Sequence, residues 1–238
     1  MTSVSVVKVG GSLSQNPQAL RVLCQKLVSL SSKGKIIVVV PGGGRFADGV
    51  READQQFSLS ASTSHYMAIL AMDQYGLLLA DLMSPNSQIV YCIEDVKNVR
   101  AGVVAVFLPS KFITLMDKEE GVGWGGLLPK CWDVTSDSIA VCIARQLGVE
   151  SLLLVKDVDG VFSGDPKRKG RVSLFEQLTI RELLDMENSE MCVDLYLPKL
   201  LSVFNMGCSI VNGFFPDRVE AVLDKRKVIG TVILSNSL

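Results

Sequence analysis

The sequence predicts an α/β protein in which helices cover both faces of an open, mostly parallel sheet. Short apolar runs alternate with stretches of helical periodicity along the chain, which is the pattern of βαβ units. The apolar runs show no polar alternation, as strands covered on both faces require. Glycine turns directly follow several of these runs. We therefore expect one three-layer domain over residues 1–238, with ligands at the carboxyl ends of the strands.

Composition excludes several classes of protein. The chain has 238 residues, and 24 Lys and Arg against 25 Asp and Glu leave a formal charge of -1, so no nucleic-acid or anionic-membrane surface is indicated. No apolar run approaches the ~18–20 residues of a transmembrane helix, and the N-terminus lacks a secretory signal pattern. The six cysteines include no C-x-x-C pair and there is one histidine. We expect a cytoplasmic protein with free thiols and no metal held by side chains.

The first strand carries the residue around which we predict the site. A β-branched run over residues 4–9 indicates a buried strand, and Lys8 lies near its end. Gly10 and Gly11 follow, where a backbone without side chains can approach an anion, and an ammonium beside it would neutralise a transferring phosphoryl group. The alternative is an ordinary strand that ends in a glycine turn, with a solvated lysine.

A second candidate anion site follows the second strand. Helical periodicity over 17–32 and an apolar run over 36–40 complete a βαβ unit, which ends in three consecutive glycines at 42–44. Each extra glycine costs backbone entropy, so three at a strand-to-helix junction favour an anion site over a plain turn. A flexible connection is the alternative. The next helix is predicted to begin near Arg45.

The middle of the chain adds a long helix and a glycine-rich loop. The helix is predicted over 61–83 with His65 near its start, and strands are predicted over 88–93 and 103–108. Residues 121–126 satisfy G-x-G-x-x-G, but no strand precedes them, so they lack the context of a dinucleotide-binding turn. The loop, which contains Trp124, is interpreted either as a lid over the site or as a plain surface loop.

The segment at 131–138 opens the next predicted helix, which runs to Leu147. Thr135 or Ser136 is a candidate N-cap, and capping alone explains many such sequences. The functional interpretation is that Asp137, at the positive end of the helix, stays ionised and orients lysines or a phosphate-bound Mg²⁺. The sequence leaves both interpretations open.

The last third of the chain continues the alternation. A buried strand at 151–155 ends in a polar exit that contains the turn signal Asp159-Gly160. The remaining predicted elements are helices at 179–186, 194–206 and 216–223, and strands at 208–211 and 228–234.

Four short motifs occur in the order and spacing of the amino acid kinase family, which the chain resembles from end to end. They are Lys8-x-Gly10-Gly11-Ser12, Pro41-Gly42-Gly43-Gly44, Thr135-Ser136-Asp137-Ser138 and Asp157-Val158-Asp159-Gly160-Val161-Phe162. The resemblance implies a carbamate kinase-like open α/β fold and a homodimer or higher homo-oligomer. It also implies phosphoryl transfer from ATP, with Mg²⁺ bound through the nucleotide, to a carboxylate, a carbamate or a phosphate. It also implies an acceptor-binding lobe over about 1–150 and a nucleotide-binding lobe over about 151–238.

The resemblance also implies roles for individual residues. The implied catalytic residues are Lys8, Asp137 and Lys199. The implied ATP contacts are Lys8, Gly10, Gly11, Ser12, Lys156, Asp157, Asp159, Gly160, Val161, Phe162 and Lys167. The implied acceptor contacts are Gly42, Gly43, Gly44, Arg45, His65, Thr135 and Ser136. The chain departs from the family pattern at Lys156, where threonine is common. Lys199 follows Pro198, as the family's second catalytic lysine usually follows a proline.

Within the family, the chain resembles the kinases that act on aminomethylfuran phosphate in methanofuran biosynthesis. Local matches to that branch cover 41–47, 64–65, 72–73, 108–111, 132–138 and 211–219. The implied function is an ATP-dependent kinase that converts a phosphomonoester, [5-(aminomethyl)furan-3-yl]methyl phosphate, to a diphosphate. The alternatives are a uridylate kinase, an isopentenyl phosphate kinase, a carboxylate kinase, or a non-catalytic nucleotide-binding protein of the same fold.

Overall fold

A computed structural model describes residues 4–118, 127–164, 172–186 and 191–235 of the chain. The strands are β1 (Val4–Val9), β2 (Ile36–Pro41), β3 (Ser87–Val90), β4 (Val104–Phe107), β5 (Ser151–Lys156), β6 (Gln177–Thr179), β7 (Gly207–Asn212) and β8 (Thr231–Leu234). The helices are α1 (Pro17–Ser32), α2 (Gly44–Phe57), α3 (Ala61–Leu82), α4 (Ile93–Lys97), α5 (Pro109–Lys118), α6 (Ser136–Gln146), α7 (Ile180–Asp185), α8 (Leu197–Phe204) and α9 (Asp217–Leu223), and a short 3₁₀ helix covers Gly11–Gln15.

The strands form one sheet in the order β3-β4-β2-β1-β5-β7-β8-β6. Every neighbouring pair is parallel except β7 and β8, which are antiparallel. This confirms the predicted open, mostly parallel α/β sheet. Strand β1 lies between β2 and β5, with Lys8 opposite Val40 on one side and Leu154 on the other. The carboxyl ends of β1, β2, β5 and β7 therefore meet at the same edge of the sheet.

Helices pack on both faces of the sheet because alternate residues of the central strands point to opposite sides. Val6 of β1 and Val38 of β2 belong to the apolar core that includes residues of α5, α6, α7 and α8. Val7 and Val39 belong to the core on the other face, which includes residues of α1 and α9. Helix α3 contributes to both cores and thereby closes one end of the sheet.

Several elements differ from the sequence prediction in their ends. The strand predicted over 88–93 ends at Val90, because the Asp95 carboxylate accepts hydrogen bonds from the amides of Tyr91 and Cys92 and starts α4 instead. The helix predicted from residue 194 begins at Leu197. Helix α5 and the short strand β6 were not predicted.

Two sequence features lie outside the described residues: the glycine-rich segment 121–126 and Lys167. Within the described ranges, none of the helices combines the length and apolar character that crossing a membrane requires.

Candidate active site

The glycine turns after β1 and β2 contact each other through their backbones. A Cβ atom added to Gly11 would lie 2.1 Å from the amide nitrogen of Gly44, and one added to Gly42 would lie 2.6 Å from the amide nitrogen of Gly11. Gly44 also has a φ of +54°, in the left-handed region that favours glycine. The two candidate anion sites of the sequence are therefore neighbours, and side chains in these turns would separate them.

A lysine–carboxylate–lysine cluster lies beside these turns. Lys8 Nζ is 2.7 Å from Asp137 Oδ1, and Lys156 Nζ is 2.5 Å from Asp137 Oδ2. Lys8 is 4% exposed and Asp137 is 2% exposed. The structure brings together Lys8 and Asp137, two of the predicted site residues, and places Lys156, at the end of β5, as a second lysine in contact with the carboxylate.

The three charges of the cluster determine one another's protonation. Burial alone would raise the pKa of the Asp137 carboxyl, but Lys156 and Lys8 outweigh it and hold that pKa well below its usual value. Burial lowers the pKa of Lys8, and Asp137 only partly offsets it. For Lys156, burial is outweighed by Asp137, so its pKa is raised. The Asp137 carboxylate thus contacts two lysines, and the nearby Asp194 also acts to raise the pKa of both.

The first turn of α6 is held by Asp194 and not by its own N-cap side chain. Thr135 is the N-cap residue, but its side chain makes no capping bond. Instead, Asp194 Oδ2 accepts hydrogen bonds from the Thr135 amide (2.9 Å), the Thr135 hydroxyl (2.9 Å) and the Ser138 amide (3.0 Å), and Oδ1 accepts one from the Ser138 hydroxyl (2.6 Å). The predicted capping by the Thr135 or Ser136 side chain is therefore wrong, because a carboxylate from a distant segment occupies that position.

Asp194 also joins α6 to α8. Its Oδ1 atom accepts hydrogen bonds from the amides of Tyr196 (3.2 Å) and Leu197 (2.8 Å), and its own amide donates to Asp137 Oδ2 (3.3 Å). A carboxylate at two helix N-termini is stabilised by both sets of unpaired amides. Asp194 thus fixes the turn that carries Thr135, Ser136 and Asp137.

A cavity of about 650 Å³ lies between the glycine turns, α2, α3 and the start of α6. Six of the seven predicted acceptor contacts line this cavity: Gly43, Gly44, Arg45, His65, Thr135 and Ser136. Gly11 and Ser12 line it as well, whereas Gly42 contacts Gly11 and does not line it. The volume is within the range of small-molecule sites, roughly 300–1,000 Å³.

His65 is buried in the wall of this cavity. Burial lowers its pKa, and the nearby Asp117 only partly opposes that effect. Its ring packs edge-on against Tyr66, whose hydroxyl donates a hydrogen bond to Asp117. The imidazole is therefore oriented by α3 and its neighbours, and the buried site favours its neutral form in the free protein.

The residues predicted to contact ATP surround the exits of β5 and β7. Asp159 Oδ1 accepts hydrogen bonds from Asn212 Nδ2 (3.1 Å) and from the Arg218 guanidinium (2.5 Å). The Val161 amide donates to the Thr231 hydroxyl, and the Gly160 carbonyl accepts from the Cys192 thiol.

Three more of these residues extend the same region. Gly10 donates its amide to the Val155 carbonyl at the end of β5. Asp157 is half-buried next to Lys156, and Phe162 pairs with Leu174 across an antiparallel bridge. Of the predicted ATP contacts that the structure describes, Gly11 and Ser12 line the cavity, whereas Gly10, Asp157, Asp159, Gly160, Val161 and Phe162 are not part of its wall.

Lys199 is separate from the cluster. It lies on the exposed side of α8, where its ammonium is 3.1 Å from the Tyr196 hydroxyl and 4.8 Å from the centre of the Tyr196 ring. The described contacts of Asp137 are with Lys8, Lys156 and the Asp194 amide. The structure therefore does not bring Lys199 together with the other predicted catalytic residues.

Some residues that were not predicted from the sequence also lie in or beside the site. Asp194 accepts hydrogen bonds from the amides two and three residues further on, which is the local pattern of an Asx turn before a helix, so a signal was available. Trp132, which lines the cavity, and Arg218 lie in the local matches at 132–138 and 211–219, but neither was predicted as a site residue. Their partners are on distant elements, which a single sequence does not identify.

Two lysines that share one carboxylate beside paired glycine turns, at the carboxyl edge of an open α/β sheet, form an arrangement suited to a polyanionic ligand such as a phosphate. Comparison of the sequence with family models identifies the family. Residues 3–211 match the sequence model of the amino acid kinase family. The chain belongs to that family.

The relatives of the chain are kinases. It is 30% identical over 230 residues to the [5-(aminomethyl)furan-3-yl]methyl phosphate kinase of Methanocaldococcus jannaschii, a match that covers 96% of this chain and 97% of the relative. It is 29% identical over 204 residues to the uridylate kinase of Corynebacterium jeikeium, with 83% and 80% covered. The solved UMP kinase of Bacillus anthracis has the same fold, with a TM-score of 0.74, 19% identity, and 99% and 97% of the two chains covered.

Proposed function

We propose that this chain is an ATP-dependent kinase that converts a phosphomonoester to a diphosphate, with [5-(aminomethyl)furan-3-yl]methyl phosphate as its preferred acceptor. The observation that carries the proposal is the Lys8–Asp137–Lys156 cluster beside the two glycine turns. The relative from M. jannaschii, which matches nearly the whole chain, supports the acceptor. Uridylate is the second candidate acceptor, because uridylate kinases match 83% of the chain.

The residues present fit ATP as the phosphoryl donor. Lys8 and Lys156 supply two basic side chains beside the one carboxylate of Asp137, and Gly11 and Ser12 line the cavity. We assign the nucleotide to the region of residues 151–238, next to the exits of β5 and β7, with Lys167 among its contacts. Within the described ranges, no group of three or more His, Cys, Asp or Glu side chains could hold a metal. As the family resemblance implies, we assign Mg²⁺ to the nucleotide phosphates, where it would offset their charge.

The acceptor is assigned to the cavity in the region of residues 1–150. Its phosphate would lie against the turn that carries Gly43 and Gly44 and the N-terminus of α6, where Thr135 and Ser136 stand. His65 would donate a hydrogen bond to the phosphate dianion, and the dianion would in turn favour the protonated imidazole. Arg45 at the rim would add positive charge for an anionic acceptor.

In the proposed reaction, Lys8 would contact the equatorial oxygens of the transferring phosphoryl group. Asp137 would keep Lys8 and Lys156 in place before the reaction starts, so little reorganisation is needed as charge develops. No covalent intermediate with the enzyme is required, because phosphoryl transfer depends mainly on positioning and charge stabilisation. Lys199 would act only if the α8 region approaches the donor during the reaction.

The proposed assembly is a homodimer, as the family resemblance implies. Leu70 and Leu77 of α3 are about half exposed, and such apolar residues would be covered in a subunit interface. Sedimentation of the purified chain tests this part of the proposal: a dimer mass supports it, and a monomer at micromolar concentration contradicts it.

The test of the function is a screen of acceptors with MgATP, in which ADP release and acceptor-dependent product are measured together. The set contains [5-(aminomethyl)furan-3-yl]methyl phosphate, UMP, isopentenyl phosphate, and carboxylates such as glutamate. The proposal expects the furan phosphate to give the highest kcat/KM and a diphosphate product. Turnover restricted to carboxylates, or nucleotide binding with no acceptor-dependent turnover, would contradict it.

A further inference from the structure

The indole of Trp132 lies in the wall of the cavity and is held in place by residues of α2. Its Nε1 atom donates a hydrogen bond to Asp54 Oδ2 (2.7 Å), and the Arg51 guanidinium carbon lies 5.0 Å from the ring centre. Arg51 is itself fixed by an ion pair with Asp48 (2.9 Å). Three residues of one helix thus hold a ring that belongs to the connection between α5 and α6.

Packing alone does not explain this arrangement. Trp132 is 36% exposed, so a large part of its apolar surface is not covered by the protein. In the described part of the chain, Trp132 and His65 contribute the aromatic rings of the cavity wall. A ring that is held in place and partly uncovered at a cavity wall can stack with a ligand at little conformational cost, because its rotamer is already fixed.

The wall of the cavity has a polar part and an apolar part. Gly43, Gly44 and the start of α6 offer amides and hydroxyls, whereas Trp132, Ile69 and Met72 offer apolar surface. A phosphomonoester with a flat organic portion matches both kinds of surface in one molecule. An aliphatic phosphomonoester would use the amides equally well but would gain less from the indole.

We propose that Trp132 determines acceptor specificity by stacking with a planar ring in the non-reacting portion of the acceptor. This proposal rests on the proposed function and deepens it, because it states which class of phosphomonoester the cavity prefers. An acceptor with an aromatic or heteroaromatic ring is favoured over an aliphatic acceptor of similar size by about tenfold in kcat/KM, most of it in KM.

The kinetic test compares a ring acceptor, [5-(aminomethyl)furan-3-yl]methyl phosphate, with a chain acceptor, isopentenyl phosphate. Trp132→Leu should lower the ratio of their kcat/KM values by about tenfold, and Trp132→Phe should keep most of the preference because it retains a ring. Phe57→Leu, at an exposed position on α2 outside the cavity wall, is the matched control. If Trp132 only fastens the α5–α6 connection to α2, Trp132→Leu will lower both kcat/KM values equally, which would overturn the proposal.

A binding test separates failure of this inference from failure of the proposed function. The chain has two tryptophans, so Trp124→Phe leaves Trp132 as the single indole fluorophore. Saturable quenching by benzyl phosphate without ATP, and much weaker quenching by isopentenyl phosphate, is the expected result. Equal responses to the two phosphates, or none, would contradict stacking on Trp132 even in an active kinase. Selective quenching in a protein that fails the acceptor screen would uphold the stacking site and reject only the reaction.

Discussion

Two carboxylates at the same edge of the sheet are bonded in similar ways but in different surroundings. Asp137 is bound by the ammoniums of Lys8 and Lys156 and is 2% exposed. Asp159 is bound by Asn212 and Arg218, but its side chain is 35% exposed. The energy of an ion pair depends on its access to water, because the solvent both screens the pair and solvates the charges when they separate. The two clusters should therefore differ greatly in what they contribute.

The buried cluster is the more dependent of the two on its full set of partners. Removal of a charge from a buried pair leaves its partner unpaired away from water, which costs about 3–5 kcal/mol, whereas exposed pairs contribute about 0–1 kcal/mol. The difference suggests that Asp137 organises the site and that Asp159 mainly supports the exit of β5. The variants below test whether the two carboxylates differ in this way.

The largest effect is expected for Asp137→Asn. The substitution leaves two buried ammoniums without a counter-charge, so turnover should fall below detection, with a loss of about 3–5 kcal/mol of unfolding free energy. Activity with MgATP and denaturant unfolding measure the two effects. Activity close to that of the wild type would mean that Asp137 is only a residue of the first turn of α6.

The same variant gives a test in pH. Because the pKa of Asp137 is lowered in the folded protein, its contribution to stability is present above the pKa of the unfolded chain, about 3.9, and is lost as the pH falls through the folded-state pKa. The difference in Tm between the wild type and Asp137→Asn should therefore narrow as the pH is lowered from neutral toward strongly acidic values. A constant difference would argue against an ionised Asp137.

The next effect is expected for Asp194→Ala. Loss of this carboxylate leaves backbone amides at the starts of α6 and α8 without their acceptor, so the turn that carries Asp137 can shift. Small shifts of catalytic groups lower kcat by about ten- to a hundredfold. Ser60→Ala is the matched control, since Ser60 caps α3 through the Thr63 amide, away from the site. It should cost about 1 kcal/mol of stability with kcat unchanged. Equal kcat in the two variants would reduce Asp194 to an ordinary cap.

An effect of similar size, but on KM and not on kcat, is expected for His65→Ala, which tests a buried group that faces the cavity. The KM for the phosphorylated acceptor should rise by roughly 10–100-fold, about 1.4–2.7 kcal/mol, while the KM for ATP changes little. The effect should shrink at alkaline pH, because a protonated imidazole binds the dianion best and burial already lowers the pKa of His65. A similar rise for both substrates would make His65 a packing residue.

The smallest effect is expected for Asp159→Asn. Its contacts with Asn212 and Arg218 are only partly buried and should contribute about 1 kcal/mol, and kcat should stay within about twofold of the wild type. Steady-state kinetics with MgATP varied over a wide range check this expectation. A loss comparable to that of Asp137→Asn would remove the contrast between the two carboxylates.

The sequence was informative where the requirement is local. The strand of Lys8 and the glycines of both turns could be predicted because chain direction, burial and backbone approach depend on neighbouring residues. The start of α1 at Pro17 and of α3 at Ala61 were predicted for the same reason. The order of the family's motifs along the chain then identified Asp137 as a further site residue.

The sequence was less informative where partners come from distant elements. Asp194 reaches α6 across 59 residues, and Asp159 reaches Arg218 across 59 residues, so no local pattern reports either bond. The predicted cap at Thr135 had the right position but the wrong side chain. Lys199 was placed by its neighbour Pro198, and its position on the exposed side of α8 depends on how that helix packs.

The central claim is that Lys8, held by Asp137, stabilises the transferring phosphoryl group. The most direct measurement is the single-turnover rate of phosphoryl transfer from MgATP to the phosphorylated acceptor for Lys8→Ala, with Lys33→Ala as an exposed lysine control. The account predicts that the Lys8→Ala rate falls by on the order of 10²–10³, with little change in ATP affinity and no change in the control. A decrease of no more than about threefold in the Lys8→Ala rate would contradict this role for Lys8. Removal of one preorganised electrostatic group is expected to cause a much larger decrease.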